Sequence, residues 1–451
     1  MKKRFSLSTT QMIMLSFLLA ILIGSLLLVL PFASAEGKSV PYIDALFTAT
    51  TSVCVTGLVT VTTATAWSFF GQVVILILIQ IGGLGIITIL SGFMIGLHKK
   101  IGLGDRILLQ DAFNLSSLSG IVHFLRKVLI GTFLVEGVGS LLYMTVFIPE
   151  FGVRGIWISV FNAVSAFCNA GMDIIGEESL CAYAVHPMIN FVTSMLIILG
   201  GIGYIVWWDV LRVFKNFKKQ KLKCFSNLTL HSKIALSATG ILLFCGGILF
   251  FLFEYQNPQT IGEFSLTGKL QAAMFQSVTT RTAGFATVPQ QHLTDASAIV
   301  SLFFMFIGGS PVGTAGGVKT VTIAVLLVSA FAIIRNNDET VLFRRRISKQ
   351  AVGKAVAVVS MSFMIAFVST VLLAAVSGAS ALDVMYETFS ATATVGLSRN
   401  LTGTLNLWGK LVIIVTMYLG RVGPISLMIA FNTKKKKQNI IKNPTEEISV
   451  G

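Results

Sequence analysis

The sequence predicts an all-α membrane protein: four tandem outer helix–pore helix–inner helix repeats, with eight transmembrane spans and four re-entrant pore loops around one central pore. Three observations lead there. Of 451 residues, 54% are hydrophobic and 12% charged, against about 25% charged in soluble domains. Several apolar runs exceed the ~20 residues that cross a bilayer as a helix. And one short pattern recurs four times at a nearly fixed period.

The first span is expected at 11–30, behind Lys2, Lys3 and Arg4. It is long for a signal-peptide core, and Pro31-Phe32 follows it rather than a small-residue cleavage site, so it reads as a retained span. Seven more are expected near 68–97, 121–148, 187–213, 232–253, 296–333, 354–377 and 405–431.

Charge orients them. The formal net charge is +15, and 26 of the 34 Lys and Arg residues fall in five segments: the N-terminus, 97–127, 212–233, 335–354 and 432–451. These alternate with the other connections, and the positive-inside bias places them in the cytosol with both termini. The same distribution disfavours nucleic-acid binding, because the charge is split over short loops between apolar spans. The five cysteines show no metal or redox spacing and the five histidines no ligand pattern. No nucleophile, metal or acid–base cluster supports an enzyme.

The recurring pattern is Phe47 to Gly57, Phe161 to Gly171, Met274 to Gly284 and Tyr386 to Gly396: a large apolar residue ten positions before a glycine, with small or hydroxylated residues between. The glycines lie 114, 113 and 112 residues apart. A second motif follows each: Gln80-IGGLG-85, Ile198-LGGIG-203, Phe306-IGGSP-311 and Tyr418-LGRVG-423. The repeats are assigned to 1–98, 99–214, 215–334 and 335–433, with a cytosolic tail at 434–451. Residues 41–51 would form a helix of about 16 Å, half a bilayer core. Non-helical backbone at that depth is tolerated where it is buried in protein or lines water.

The chemistry is expected in the turns: Cys54, Val55, Thr56, Gly57; Cys168, Asn169, Ala170, Gly171; Arg281, Thr282, Ala283, Gly284; and Ala393, Thr394, Val395, Gly396. A cation filter replaces hydration with backbone carbonyls. Glycine takes the dihedrals this demands without a Cβ penalty. The C-termini of four short helices would add partial negative charge below. The bland alternative is a set of helix-capping glycines, which four copies at matched spacing disfavour. Asn169 and Arg281 depart from the small residue types and are expected to point behind the filter, because a guanidinium facing the ions would oppose them.

The third inner span contains Gly308, Gly309, Ser310, Pro311, Val312, Gly313, Thr314, Ala315, Gly316 and Gly317, which no ordinary helix tolerates. The other three repeats show no comparable insertion. It reads as a gate or ion-site element, or alternatively as a static kink. Residues 313–320 resemble a phosphate loop, but Val318 stands where its second glycine must be, and no strand precedes it. Arg421 occupies the position of Gly83, Gly201 and Gly309. A mid-span charge is functional or paired: it lies at the axis below the filter, or it pairs with Glu136 of an outer span.

These turns, the broken third inner span and Arg421 resemble the Trk/Ktr/HKT superfamily of potassium transporters over nearly the whole chain, most closely the bacterial Ktr membrane subunit. The resemblance implies K⁺ uptake at the plasma membrane. It implies K⁺ held by filter carbonyls at Gly57, Gly171, Gly284 and Gly396, a gating loop at 308–317 and a pore-facing Arg421. It implies a homodimer in the lipid bilayer on a cytosolic octameric ring that binds ATP or ADP, and Na⁺-dependent uptake. No cofactor is expected in this chain itself. Two alternatives stand beside it. An alternating-access transporter would need inverted repeats, whereas these run in one orientation. A Na⁺-preferring relative would carry serine in a filter, and all four have glycine.

Overall fold

The structure, a computed structural model, describes residues 8–97, 102–113, 119–215, 225–337 and 339–423. The first unit holds α1 (Thr9–Leu28), α2 (Tyr42–Cys54), α3 (Phe69–Leu84) and α4 (Ile86–Gly96); α5 (Leu103–Ala112) links it onward. The second holds α6 (Ile121–Phe151), α7 (Arg154–Cys168), α8 (Pro187–Gly201) and α9 (Tyr204–Lys215). The third holds α10 (Leu230–Glu254), α11 (Leu266–Thr279), α12 (Asp295–Phe306) and α13 (Thr320–Ile334). The fourth holds α14 (Lys349–Ser377), α15 (Ala381–Ala393) and α16 (Leu407–Val422). Among the described residues the only strands are a hairpin of β1 (Val341–Leu342) and β2 (Arg345–Arg346). The N-terminal charges, residues 424–431 of the last expected span and the tail at 434–451 lie outside the described residues.

Polar side chains set the helix starts. Ser8 and Gln11 form a capping box at α1, and Thr229, Ser265, Thr294, Ser348, Ser380 and Asn406 each accept an amide at the starts of α10, α11, α12, α14, α15 and α16. Among the described residues four helices, α1, α6, α10 and α14, are long and apolar enough to cross a membrane. Their outer faces expose large apolar side chains such as Leu26, Phe133, Phe244 and Phe363, which lipid accommodates and water does not.

The short helices α2, α7, α11 and α15 lie at the centre. Several of their buried hydroxyls bond within the helix: Thr50 Oγ1 donates to Leu46 O at 2.7 Å and Ser52 Oγ to Thr48 O at 2.6 Å. A polar contact closes each seam between units. Trp157 Nε1 donates to Gln72 Oε1 at 2.8 Å, and Leu180 N to Ala286 O at 2.9 Å. Arg399 pairs with Asp383 at 2.7 Å while donating to Gln290 O and Leu293 O. Lys410 Nζ meets Asp44 Oδ1 at 2.6 Å, joining the last unit to the first.

The inner spans correct one expectation. Residues 68–97 and 187–213 read as continuous helices, but α3 and α4 meet at 96° and α8 and α9 at 101°. The last glycine of the second motif makes the break: Gly85 has φ 84° and Gly203 φ 92°, and Gly423 after α16 has φ 83°. Interruption is therefore shared by the first three inner spans. What distinguishes the third is length, since residues 307–319 separate α12 from α13.

Candidate functional site

Three of the four short helices end alike. The residue two before the repeat glycine is left-handed: Val55 at φ 54°, Asn169 at 59° and Thr394 at 51°. The next amide reaches back to the helix, with Thr56 N to Thr51 O, Ala170 N to Ser165 O and Val395 N to Ser390 O all at 2.8 Å. The hydroxyl of the accepting residue then ties down the outgoing strand: Thr51 Oγ1 accepts from Gly57 N at 2.9 Å, Ser390 Oγ from Gly396 N at 3.0 Å and Ser165 Oγ from Met172 N at 3.1 Å. The third differs. Thr282, two before Gly284, is left-handed like its counterparts at φ 67°, but helix α11 stops at Thr279 and Ala283 N bonds to Thr279 O at 3.0 Å, four residues back rather than five.

The four turns converge. Gly57, Gly171, Gly284 and Gly396 have φ of 98°, 65°, 82° and 97°. A Cβ on Gly57 would lie 2.5 Å from Ala170 O, one on Gly171 2.6 Å from Ala283 O, one on Gly284 2.5 Å from Val395 O, and one on Gly396 would strike Thr56 O. The contacts close a ring in chain order. Each glycine faces the carbonyl that immediately precedes the next glycine, so both backbone angle and space demand its missing side chain.

A cavity lies on each side of this ring. The outer one, of about 520 Å³, is lined by all four glycines together with Asp173 and Ser398. Burial pushes the Asp173 carboxyl above its ordinary range, opposed by the Ser179 hydroxyl and the amides of Ile175 and Gly176. The inner one, of about 380 Å³, is lined by Gly82, Thr392, Gly316, Lys319 and Arg421 among others.

The 307–319 segment forms the wall of the inner cavity. Its ends are held in parallel, with Gly308 N to Val318 O at 3.0 Å and Val318 N to Phe306 O at 3.1 Å. Its middle rests on the bend of the second inner span, whose interrupted helix leaves free backbone groups. Ser310 N donates to Gly201 O at 2.8 Å, Thr314 N to Gly200 O at 3.1 Å, and Tyr204 N to Val312 O at 2.9 Å. Ser310 and Thr320 share a hydroxyl bond of 2.8 Å. Arg421 Nη1 donates to Thr314 O at 2.8 Å and Nη2 to Gly82 O at 2.6 Å.

A family profile described as a cation transport protein, TrkH, matches residues 3–442. The potassium/sodium uptake protein NtpJ of Enterococcus hirae is 40% identical over 459 residues, covering 100% of this chain and 99% of that protein. The Ktr system potassium uptake protein B of Bacillus subtilis is 38% identical over 442 residues, covering 98% and 96%. The chain belongs to the TrkH cation transport family. It is thus a multi-pass membrane transporter and not an enzyme. The crystal structure of the potassium transporter TrkH from Vibrio parahaemolyticus shares the fold, with a TM-score of 0.74 at 17% identity over 96% of this chain and 86% of that one.

Within this TrkH-family fold the residues singled out by sequence distribute as follows. The four turns meet at the ring. Asn169 and Arg281 point away from it: Asn169 Nδ2 donates to Thr314 Oγ1 at 2.7 Å, and Arg281 Nη2 to Gly308 O at 3.3 Å and Thr239 Oγ1 at 3.5 Å. Gly309 and Gly201 flank Ala315. Glu136 accepts from Gln80 Nε2 at 3.1 Å, and no ion pair with Arg421 exists among the described residues. Arg421 is held by carbonyl oxygens instead.

Sequence reasoning passed over Lys319. Its Nζ donates to Ala315 O at 2.6 Å beside the same cavity. The signal was present, because Lys319 is the only charged residue between Asp295 and Arg335. It also missed the glycine contacts behind the ring. A Cβ on Gly82, Gly200 or Gly420 would strike the carbonyl of Val53, Phe167 or Thr392, each one residue before the end of its short helix. On Gly308 it would strike Gly316 O of the loop.

Proposed function

We propose that the chain takes up K⁺ across the plasma membrane through one central pore formed by four repeats, at 1–98, 99–214, 215–334 and 335–433, with eight spans and both termini cytosolic. The closed ring of four glycines, each against the carbonyl before the next, carries this reading. Inward carbonyls at one level offer a dehydrated cation the oxygens it loses from water. Short helices ending behind them place partial negative charge at the same depth. The 308–317 loop and Arg421 form the gate on the cytosolic side. Arg421 raises the barrier for a passing cation while its two carbonyl partners hold it in place.

The names of the relatives carry the substrate: one is a potassium uptake protein and one a potassium/sodium uptake protein. A relative named as protein B of a Ktr system supports further components. On this reading the chain forms a membrane homodimer on a cytosolic octameric ring that binds ATP or ADP, and Na⁺ stimulates uptake. The second reading, a K⁺/Na⁺ transporter of the same superfamily, is favoured by the potassium/sodium name of the 40% identical relative. K⁺ and Na⁺ uptake in cells lacking their own K⁺ systems, with and without a ring subunit, separates them. K⁺ uptake that Na⁺ stimulates without Na⁺ accumulation supports the first, parallel accumulation of both ions supports the second, and accumulation of neither removes both.

A further inference from the structure

The loop touches the backs of three of the four turns. Thr314, fully buried, donates its hydroxyl to Phe167 O at 2.9 Å and accepts from Asn169 Nδ2 at 2.7 Å. Phe167 is the second-last residue of α7, so its carbonyl is one of those a helix end leaves without a backbone partner. Asn169 is left-handed, φ 59°, a conformation asparagine accepts with its amide free to reach sideways. On the third turn Arg281 donates to Gly308 O at 3.3 Å. On the fourth, Gly316 lies so close that a Cβ would strike the Thr394 hydroxyl. Thr314 also spends its amide on Gly200 O and its carbonyl on Arg421. It thus joins the second turn to the cytosolic gate.

We propose that Thr314 is a positioning residue for ion selection, holding the second turn through Phe167 O and Asn169 Nδ2 so that K⁺ over Na⁺ discrimination depends on a docked loop. This rests on the reading of the glycine ring as filter and the loop as gate. Withdrawing the loop leaves Phe167 O and Asn169 Nδ2, buried behind Cys168 and Ala170, with only the long 3.4 Å contact they make to each other. Stranded buried groups relax toward new partners. Incoming water satisfies them without fixing their direction, and the Ala170 carbonyl facing Gly57 loses its support. A filter of carbonyls distinguishes ions of different radius only while the oxygens keep their spacing. Opening then trades selectivity for flux, whereas a loop that is only an obstruction raises the flux of each ion alike.

The test uses the full chain in liposomes, with tracer uptake of Rb⁺ and Na⁺ measured separately. Thr314→Val removes the hydroxyl and keeps the volume. It is expected to lower the Rb⁺ to Na⁺ uptake ratio about fivefold, the equivalent of one net hydrogen bond. Thr314→Ser, which returns the hydroxyl, restores the parent ratio. Asn169→Gly breaks the same contact from the filter side and keeps the left-handed backbone. It lowers the ratio similarly, and combined with Thr314→Val adds nothing. If Thr314→Val does not fold, the ratio measured for Asn169→Gly alone decides the matter. A variant with higher flux and the parent ratio overturns the inference while leaving filter and gate intact. A parent chain that carries neither ion defeats the underlying reading instead.

Discussion

The second and third repeats begin from the same pattern and end in different structures. In the second, α7 runs to Cys168, and Gly200 packs against the Phe167 carbonyl at the helix end. In the third, α11 stops at Thr279, and Gly308 packs against Gly316 of its own loop. The first and fourth repeats follow the second, through Gly82 on Val53 O and Gly420 on Thr392 O. In three repeats the inner span is clamped to its short helix by a glycine against backbone. In the third that contact is replaced by one with the 307–319 segment. Arg281, at the position of Cys54, Cys168 and Ala393, sends its side chain to that segment rather than packing as a small residue. On the proposed reading, one repeat of four gives up a fixed contact to hold the gate, and the other three keep the ring in place.

Substituting the clamping glycines should expose this difference most strongly. Gly82→Ala, Gly200→Ala and Gly420→Ala drive a Cβ into a backbone carbonyl that cannot rotate away, and overpacking costs about 1–3 kcal/mol or more. Each is expected to sharply lower the yield of monodisperse protein and its melting temperature. Gly308→Ala meets only loop backbone, so it should fold near the parent level and show raised K⁺ uptake. Equal loss of folded protein in all four variants would erase the distinction.

Deleting residues 312–316 removes the contacts of Thr314 with Phe167, Asn169 and Arg421 together. Uptake per surface-expressed molecule should rise at least several-fold, with less dependence on the cytosolic partner and weaker ion discrimination. A deletion that assembles and transports like the parent would show the loop to be a static kink.

Arg421→Ala has a smaller expected effect. Two unit charges 4 Å apart repel by about 4 kcal/mol at an effective dielectric near 20. Water and the carbonyls of Thr314 and Gly82 reduce this. A residual ~1.4 kcal/mol gives tenfold in rate if that barrier limits. Maximal uptake should therefore rise by up to about tenfold. Glu136→Gln, whose side chain bonds to Gln80 rather than to Arg421, should change uptake little and leave the Arg421→Ala effect intact. Expression lost in Arg421→Ala and restored by Glu136→Gln would make the arginine a scaffold residue.

The repeat pattern was legible because three features coincide in it: a helical apolar run, a buried hydroxyl such as Thr51 or Ser390, and a glycine that no other residue could replace. The bends at Gly85 and Gly203 were not legible. A glycine within an apolar run lowers helix propensity by only about 1 kcal/mol, and the sequence carries no mark of its positive φ. The early stop of α11 before its glycine was hidden for a related reason. Matching on Gly284 aligns Val278 with Thr51, Ser165 and Ser390, yet the hydroxyl that bonds beyond the glycine is that of Thr279, to Phe285 O at 2.5 Å. Nor could spacing alone show that the bent second span supplies the carbonyls on which the loop rests, because that contact joins residues about 110 positions apart.

The most direct test is ion titration of purified protein, comparing K⁺ with Na⁺ for the parent and for Gly57→Ser, Gly171→Ser, Gly284→Ser and Gly396→Ser. Each serine carries its Cβ onto a neighbouring turn at a backbone angle that L-residues rarely adopt. Gly37, left-handed at φ 70° but with nothing within 4 Å of an added Cβ, provides the control as Gly37→Ala. The parent and the control should prefer K⁺. Each of the four serine variants, the third repeat's included, should lose at least about tenfold in K⁺ affinity and most of the preference, read on the fraction that remains monodisperse. A folded Gly284→Ser protein that keeps the parent's preference for K⁺ over Na⁺ would contradict a filter built from four equivalent turns.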